Sequence, residues 1–291
     1  MTDIRDRAVQ LYDAYTHEHR DRRRLLREIA AMAGSVAAAE VLIAGIGASP
    51  AAAAVIAPDD KRLRAETRTI GTGAASLTGY LAQPRRGRAR RPMVLVVHEN
   101  RGLNEHIRDV ARRAALAGFT AFAPDYLAGA GGTPADQDQA RTLIGQLDLG
   151  AAIATTVAVM NGALAAADGP RRIGAVGFCW GGAFVNRLAV AAGPALAAGV
   201  PYYGSAPNPS EAAKVQAALL IQLAGKDARV NATAVPWAEA LKAAGKRVEA
   251  FTYPGVDHAF NNDTSAERYD KAAAELAWGR TIAFLKRELD A

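Results

Sequence analysis

The sequence predicts an α/β protein: a mostly parallel, doubly wound sheet flanked by helices, preceded by a helical N-terminal extension. Three observations predict it. From about residue 65 onward, short apolar runs alternate with longer helical patterns, as in successive βα units. Runs such as "PMVLVVHEN" are apolar continuously rather than at every second residue, as strands buried on both faces are. The chain has 291 residues, half of them apolar, which suits one large α/β core plus a short extra segment.

The extension occupies residues 1–60 and the α/β domain residues 61–291. Residues 4–32 read as a helix, with Val9, Leu11, Tyr12, Tyr15, Leu25, Leu26, Ile29 and Met32 in part at helical spacing. A basic stretch, "DRRRLLRE", then leads into an apolar, alanine-rich run that reaches to about residue 57. That order resembles an export signal, and Asp21–Arg27 follows a twin-arginine pattern. It begins some twenty residues in, however, and Glu40 interrupts the apolar run. Two readings stand: export to the periplasm through a twin-arginine-like leader, or a retained amphipathic helix in a cytoplasmic protein. In the second, the helix packs on the body or joins two subunits as a homodimer. No stable membrane span is expected, because Glu28 and Glu40 break any uninterrupted apolar window.

In the body, "TRTIGTG" and "SLTGYLAQP" form an opening hairpin pair, and "PMVLVVHEN" is a central strand. A helix follows over 104–116, closed by Gly118; "FTAFAPDY" is the next strand; residues 134–168 read as helical. "RIGAVGFCWGG" is another buried strand, leading into a helix over 183–192. "AAGVPYYG", "ALLIQLAGKD" and "RVEAFTYPG" complete the strands, and a long helix over 265–289 ends the chain.

The formal charge is +6, and Arg85, Arg86, Arg88, Arg90 and Arg91 fall within seven residues of one another. With no aromatic residue or second basic run beside it, this run reads as a solvated loop before a strand, not a nucleic-acid site. Cys179 is the one cysteine, so no internal disulfide forms, and no Cys/His cluster has metal-ligand spacing. No metal or organic cofactor is implied. A lone cysteine is a small buried hydrophobe or a nucleophile, and its neighbours decide which.

Those neighbours are Gly177-Phe178-Cys179-Trp180-Gly181-Gly182, between an apolar strand and a helix. A nucleophile on a strained strand-to-helix turn needs close backbone approach, where a Cβ would clash. The same turn places Cys179 at a helix N-terminus, where backbone N–H dipoles favour thiolate over thiol. A thiol needs a base, and the base needs an orienting acid. Beyond the N-terminal segment the histidines are His98, His106 and His258. His258 follows the last expected strand, and Asp227 the one before it. Asp227 could instead be a turn or cap residue, His258 a core histidine, and Asp257 a rival acid. The order nucleophile, acid, histidine, each on a loop at the carboxyl end of a strand, would bring all three to one rim of the sheet. An oxyanion hole would draw one N–H from Trp180 and one from the "VVHENRG" loop, where Asn100 is the candidate. Glu99 in that loop would repel a thiolate, or accept the proton of a resting thiol.

Residues 65–289 resemble the dienelactone hydrolase family, a branch of the α/β-hydrolase fold. "VLVVHENRGLN", "FTAFAPDY", "GAVGFCWGG", "LAGKDARV" and "YPGVDHAF" carry the resemblance. It implies Cys179 as nucleophile, His258 as base, Asp227 as its partner, and Glu99 as the group that holds the thiol at rest. It also implies a small ester or lactone as substrate. The N-terminal segment resembles a subgroup with a twin-arginine-like leader. The sequence departs from the family where arginines would hold a dienelactone carboxylate. None follows Pro124-Asp125, where Tyr126 opens "YLAGAGG", and Asn262 stands four residues past His258. Tyr126 and Asn262 are therefore candidate substrate contacts, and dienelactone itself is not expected. Two other classes remain open: a thiol redox or sensor protein using Cys179, which lacks a resolving cysteine, and a non-catalytic binding protein on the same fold.

Overall fold

The computed structural model describes residues 4–17, 21–47, 55–86 and 90–290. Its centre is an eight-stranded sheet built from β1 (Leu63–Thr72), β2 (Ala75–Pro84), β3 (Met93–Val97), β4 (Thr120–Pro124), β5 (Ile173–Phe178), β6 (Ala198–Tyr202), β7 (Ala218–Ala224) and β8 (Val248–Tyr253). The spatial order is β1-β2-β4-β3-β5-β6-β7-β8. β1 and β2 form an antiparallel hairpin, β2 joins β4 antiparallel, and every later pairing is parallel. Every residue of β3, β5, β6 and β7 is buried, which is why these strands read as unbroken apolar runs.

Two apolar layers cover the sheet. One includes Ile107, Val110 and Ala114 of α4 (Glu105–Leu116) and Ala277, Phe284 and Leu285 of α9 (Lys271–Asp290). The other is formed by α6 (Leu149–Ala165), α7 (Trp180–Ala191) and α8 (Ala228–Ala243), with Met160, Phe184, Leu188 and Trp237 fully or almost fully buried. Local capping fixes the helix starts. Asn104 Oδ1 accepts from Ile107 N at 3.1 Å, so α4 begins where the sequence places it. The expected helix over 134–168 is two, α5 (Gln137–Gly145) and α6, because Asp148 caps a fresh start through Ala151 N at 2.9 Å. The last helix starts at Lys271 instead of residue 265, since Asp270 Oδ1 accepts from Ala273 N at 2.9 Å.

The helix expected over 4–32 is also broken, into α1 (Ile4–His17) and α2 (Arg22–Ala33), with α3 (Val36–Ile46) beyond. Gly34, at φ 82°, ends α2, and Ser35 caps α3 through Ala38 N at 3.1 Å. The axes of α2 and α3 diverge by 113°, and no single described helix is long and apolar enough to cross a membrane. The three helices share a small core of Val9, Tyr12, Tyr15, Leu25, Ile29, Ile43 and Ile46. They are tied to the body through Ser265 Oγ to Ile46 O at 2.5 Å and Glu267 N to Gly45 O at 3.0 Å, and further along the chain Ile56 N donates to Asp109 Oδ1 at 2.7 Å. The arginine run falls in the β2–β3 loop: Arg91 bonds Arg86 O and Arg90 bonds Gly169 O, while Arg88 lies outside the described residues.

Candidate active site

β5 passes directly into α7 with Cys179 as the single residue between them. Its φ of 55° and ψ of −111° lie in a region that side-chain-bearing residues rarely adopt. Such strain costs on the order of 1–3 kcal/mol and persists only where the surroundings fix it. The surroundings here are glycines. A Cβ on Gly177 would stand 2.1 Å from Gly181 O, and one on Gly181 would stand 2.3 Å from Val97 O. Cys179 N donates to Tyr202 O at 3.1 Å, which pins the turn to β6. The Trp180 N–H, in the first turn of α7, has no acceptor within the helix and is free for a ligand oxygen.

Asp227 follows β7 and caps α8, its Oδ1 accepting from Val230 N at 3.1 Å. Its Oδ2 lies 2.5 Å from His258 Nδ1, with both side chains buried. Asp257, the alternative acid, turns away and binds Arg5 Nη1 at 2.9 Å. The opposite ring nitrogen of His258, Nε2, is buried and has no hydrogen-bond partner. Tyr203, whose ring centroid is 5.0 Å from that of His258 in an edge contact, buttresses the imidazole. Burial works against the imidazolium form, but the Cys179 sulfur and the Asp227 carboxylate outweigh it and hold the His258 pKa well above its ordinary value. Burial likewise pushes the Asp227 carboxyl up, yet His258 and the Val230 N–H bring it below the usual range.

Glu99 sits on the loop after β3, 5 % exposed. Its Oε2 accepts from Asn262 Nδ2 at 2.7 Å, and its Oε1 has no partner. Asn262 is thus the residue that holds Glu99, not one that lines the main cavity. Tyr126 also lies apart from that cavity, its hydroxyl 3.1 Å from Thr156 Oγ1 and its ring packed edge-on against Trp180. Asn100 and Trp180 do line the cavity. His98 stacks on the Trp180 indole with centroids 5.3 Å apart, and His106 pairs with Asp263 at 2.9 Å.

The cavity above Cys179 has a volume of about 550 Å³. Its wall residues that were not singled out from the sequence include Arg141, Arg229 and His17. His17 is the last residue of α1, and its Nε2 is 3.9 Å from Cys179 Sγ. The sulfur and one ring nitrogen each of His17 and His258 all lie within 4.8 Å of one another. Among the described residues this is also the donor set best placed to hold a thiophilic divalent cation. The signal for His17 was its position at the end of a Tyr12/Tyr15 stripe on an acid-containing helix, unlike the start of an export signal.

A mostly parallel sheet with a positive-φ residue between β5 and α7, and with an acid and a histidine after the strands that follow, is the arrangement of the α/β-hydrolase fold. A brefeldin A esterase described as a bacterial homologue of human hormone-sensitive lipase has this fold, with a TM-score of 0.63 at 13 % identity over 91 % of this chain and 86 % of that one. Within that class the chain belongs to the dienelactone hydrolase family, whose sequence model matches residues 77–289. An Escherichia coli K12 protein named "Putative carboxymethylenebutenolidase" is 32 % identical over 82 % of this chain and 93 % of its own length. The crystal structure titled "Putative Dienelactone Hydrolase", from Klebsiella pneumoniae, has a TM-score of 0.69 at 29 % identity, covering 77 % of this chain and 99 % of that one. The protein is therefore an ester or lactone hydrolase by family.

Proposed function

We propose that the chain hydrolyses a carboxylic ester or lactone through an acyl-thioester on Cys179. One observation carries this reading: the imidazole beside the sulfur has its far nitrogen held at 2.5 Å by a buried carboxylate while Nε2 stays unpartnered. In the first step the thiolate attacks the acyl carbon, and the N–H groups of Trp180 and Asn100 receive the developing oxyanion. The tetrahedral intermediate collapses, the C–O bond breaks, and the imidazolium of His258 gives its proton to the departing alkoxide. In the second step neutral His258 takes a proton from water, hydroxide adds to the thioester, and the thiolate leaves as acid is released. Glu99, buried next to Asn100 in the chain with an unpartnered Oε1, accepts a hydrogen bond from the S–H when the resting sulfur is a thiol.

Arg229 and Arg141 line the cavity, the former exposed to it and the latter tied to Tyr15 O and Oη at 3.3 and 3.0 Å. They give an acidic acyl or leaving group two cationic contacts, although neither stands where the family's arginines would. The test is a panel of neutral and carboxylate-bearing lactones and short esters, assayed on wild type and Cys179→Ala. The expected result is turnover by wild type, loss of at least a thousandfold in the variant, and a trapped acyl adduct on Cys179 by mass spectrometry. Undiminished turnover by Cys179→Ala would sink the reading.

A further inference from the structure

Helix α1 reaches the loops that carry Asp227, His258 and Asn100. Asp6 Oδ2 accepts from Lys226 Nζ at 3.1 Å, and Lys226 adjoins Asp227. Arg5 Nη1 donates to Asp257 at 2.9 Å, and Asp257 adjoins His258. Tyr12 Oη accepts from Arg101 Nη2 at 3.1 Å, and Arg101 adjoins Asn100. Tyr15 Oη donates at 2.7 Å to Asp138 Oδ1 of α5, the helix whose Arg141, Thr142 and Ile144 line the cavity. Asp13 Oδ1 accepts from buried Arg268 at 3.3 Å, and Arg268 lines the same small space as Glu99. At the helix end, the His17 ring stands edge-on to that of His258, centroids 4.9 Å apart, with Nε2 facing the sulfur.

From this placement we infer that α1 is a working part of the active site and that His17 is a catalytic residue, donating its Nε2–H to the Cys179 thiolate. The inference rests on the hydrolase reading of Cys179. The sulfur then has one hydrogen-bond donor in place, the His17 imidazole, beside the His258 imidazolium, whose Nε2 stays unpartnered. The His17 donor stabilises the thiolate both as the resting nucleophile and as the group expelled when the thioester is hydrolysed. No proton moves to or from His17: it carries Nε2–H before and after each step. A neutral donor suits that task, because the His258 imidazolium already supplies the positive charge beside the sulfur. A cleaved leader would take this donor and all five of these contacts with it, so on this inference the extension stays on the functional enzyme.

The test uses the full chain with His17→Ala and His17→Gln. Two readouts are taken: kcat/KM on the best ester or lactone, and the pH dependence of Cys179 alkylation by iodoacetamide, which needs no turnover. For His17→Ala, kcat/KM is expected to fall about tenfold or more, the loss of a hydrogen bond to a charged group, and the alkylation midpoint to move to higher pH. His17→Gln, whose amide can donate, should recover part of both. Unchanged turnover, or lost turnover with an unmoved alkylation midpoint, overturns the role of His17. A variant that loses its circular-dichroism spectrum or melting transition is replaced by His17→Asn under the same criteria. Failure of the hydrolase reading looks different: Cys179→Ala would still turn over substrate, whatever the His17 variants did.

Discussion

Asp227 performs two tasks with two oxygens, and one substitution separates them. Oδ2 holds His258 Nδ1 at 2.5 Å, while Oδ1 caps α8 through Val230 N at 3.1 Å. Asparagine keeps a capping oxygen but removes the charge, and its amide can offer His258 a donor where an acceptor is needed. The pair is buried, so water screens it little. Removing one partner of a buried charged pair costs about 3–5 kcal/mol. At about 1.4 kcal/mol per factor of ten, Asp227→Asn should lower kcat/KM by roughly a hundred- to several-thousandfold. Stability should fall as well wherever His258 is charged, because the substitution leaves a buried imidazolium unpaired, while the cap itself is kept, since Asn and Asp cap almost equally well. Asp227→Ala loses the cap as well and should cost about 1 kcal/mol more in urea unfolding. Steady-state kinetics and chemical denaturation of the two variants check both halves. An Asp227→Asn enzyme within threefold of wild type would refute the idea that this carboxylate orients the base.

Two more outcomes follow from the geometry. His17 has a folded pKa well below 6.5, so below that pH the unfolded chain takes up a proton that the folded chain refuses. Stability contributed by docked, neutral His17 is therefore complete above about pH 6.5 and falls as the solution is acidified. Protection factors in α1, which allow for the intrinsic slowing of amide exchange in acid, should fall between about pH 6.5 and 5, and His17→Gln should abolish that dependence. At the nucleophile turn, Gly181→Ala brings a Cβ to 2.3 Å from Val97 O, whereas Gly279 in α9 has nothing within 4 Å. Gly181→Ala should lower stability by about 1–3 kcal/mol or more, and Gly279→Ala should raise it by about 0.5–1 kcal/mol, both read from thermal melts.

Much of this was written in local sequence. The glycines around Cys179 are there because the backbone crowds that turn, and buried strands such as β3 and β5 cannot be other than apolar. Asp227 and His258 were legible because each ends a strand pattern. Elements set by competing local signals were not. Helix α8 went unread because Pro236 interrupts its pattern, and the breaks at Asp148 and Asp270 depend on capping bonds that look like ordinary surface acids. Tyr126 and Asn262 read as substrate contacts because no arginine stands there, yet their polar atoms are engaged by Thr156 and Glu99. His17 was set aside because its segment resembles a leader in composition, and composition says nothing of where a helix docks. Its role depends on a contact spanning 162 residues, which no local pattern records.

The ties between α1 and the body also bear on how the chain is made. Arg5 meets Asp257 across 252 residues, and Asp6 meets Lys226 across 220. On a ribosome adding roughly 5–20 residues per second, the first helix waits on the order of ten to fifty seconds before its acceptors exist. During that interval its Val9, Tyr12 and Tyr15 stripe can be covered only by α2 and α3, the neighbours with which it shares a core. The N-terminal trio is thus a holding structure during synthesis, keeping an adhesive surface covered until the last strand and its loop emerge to receive it.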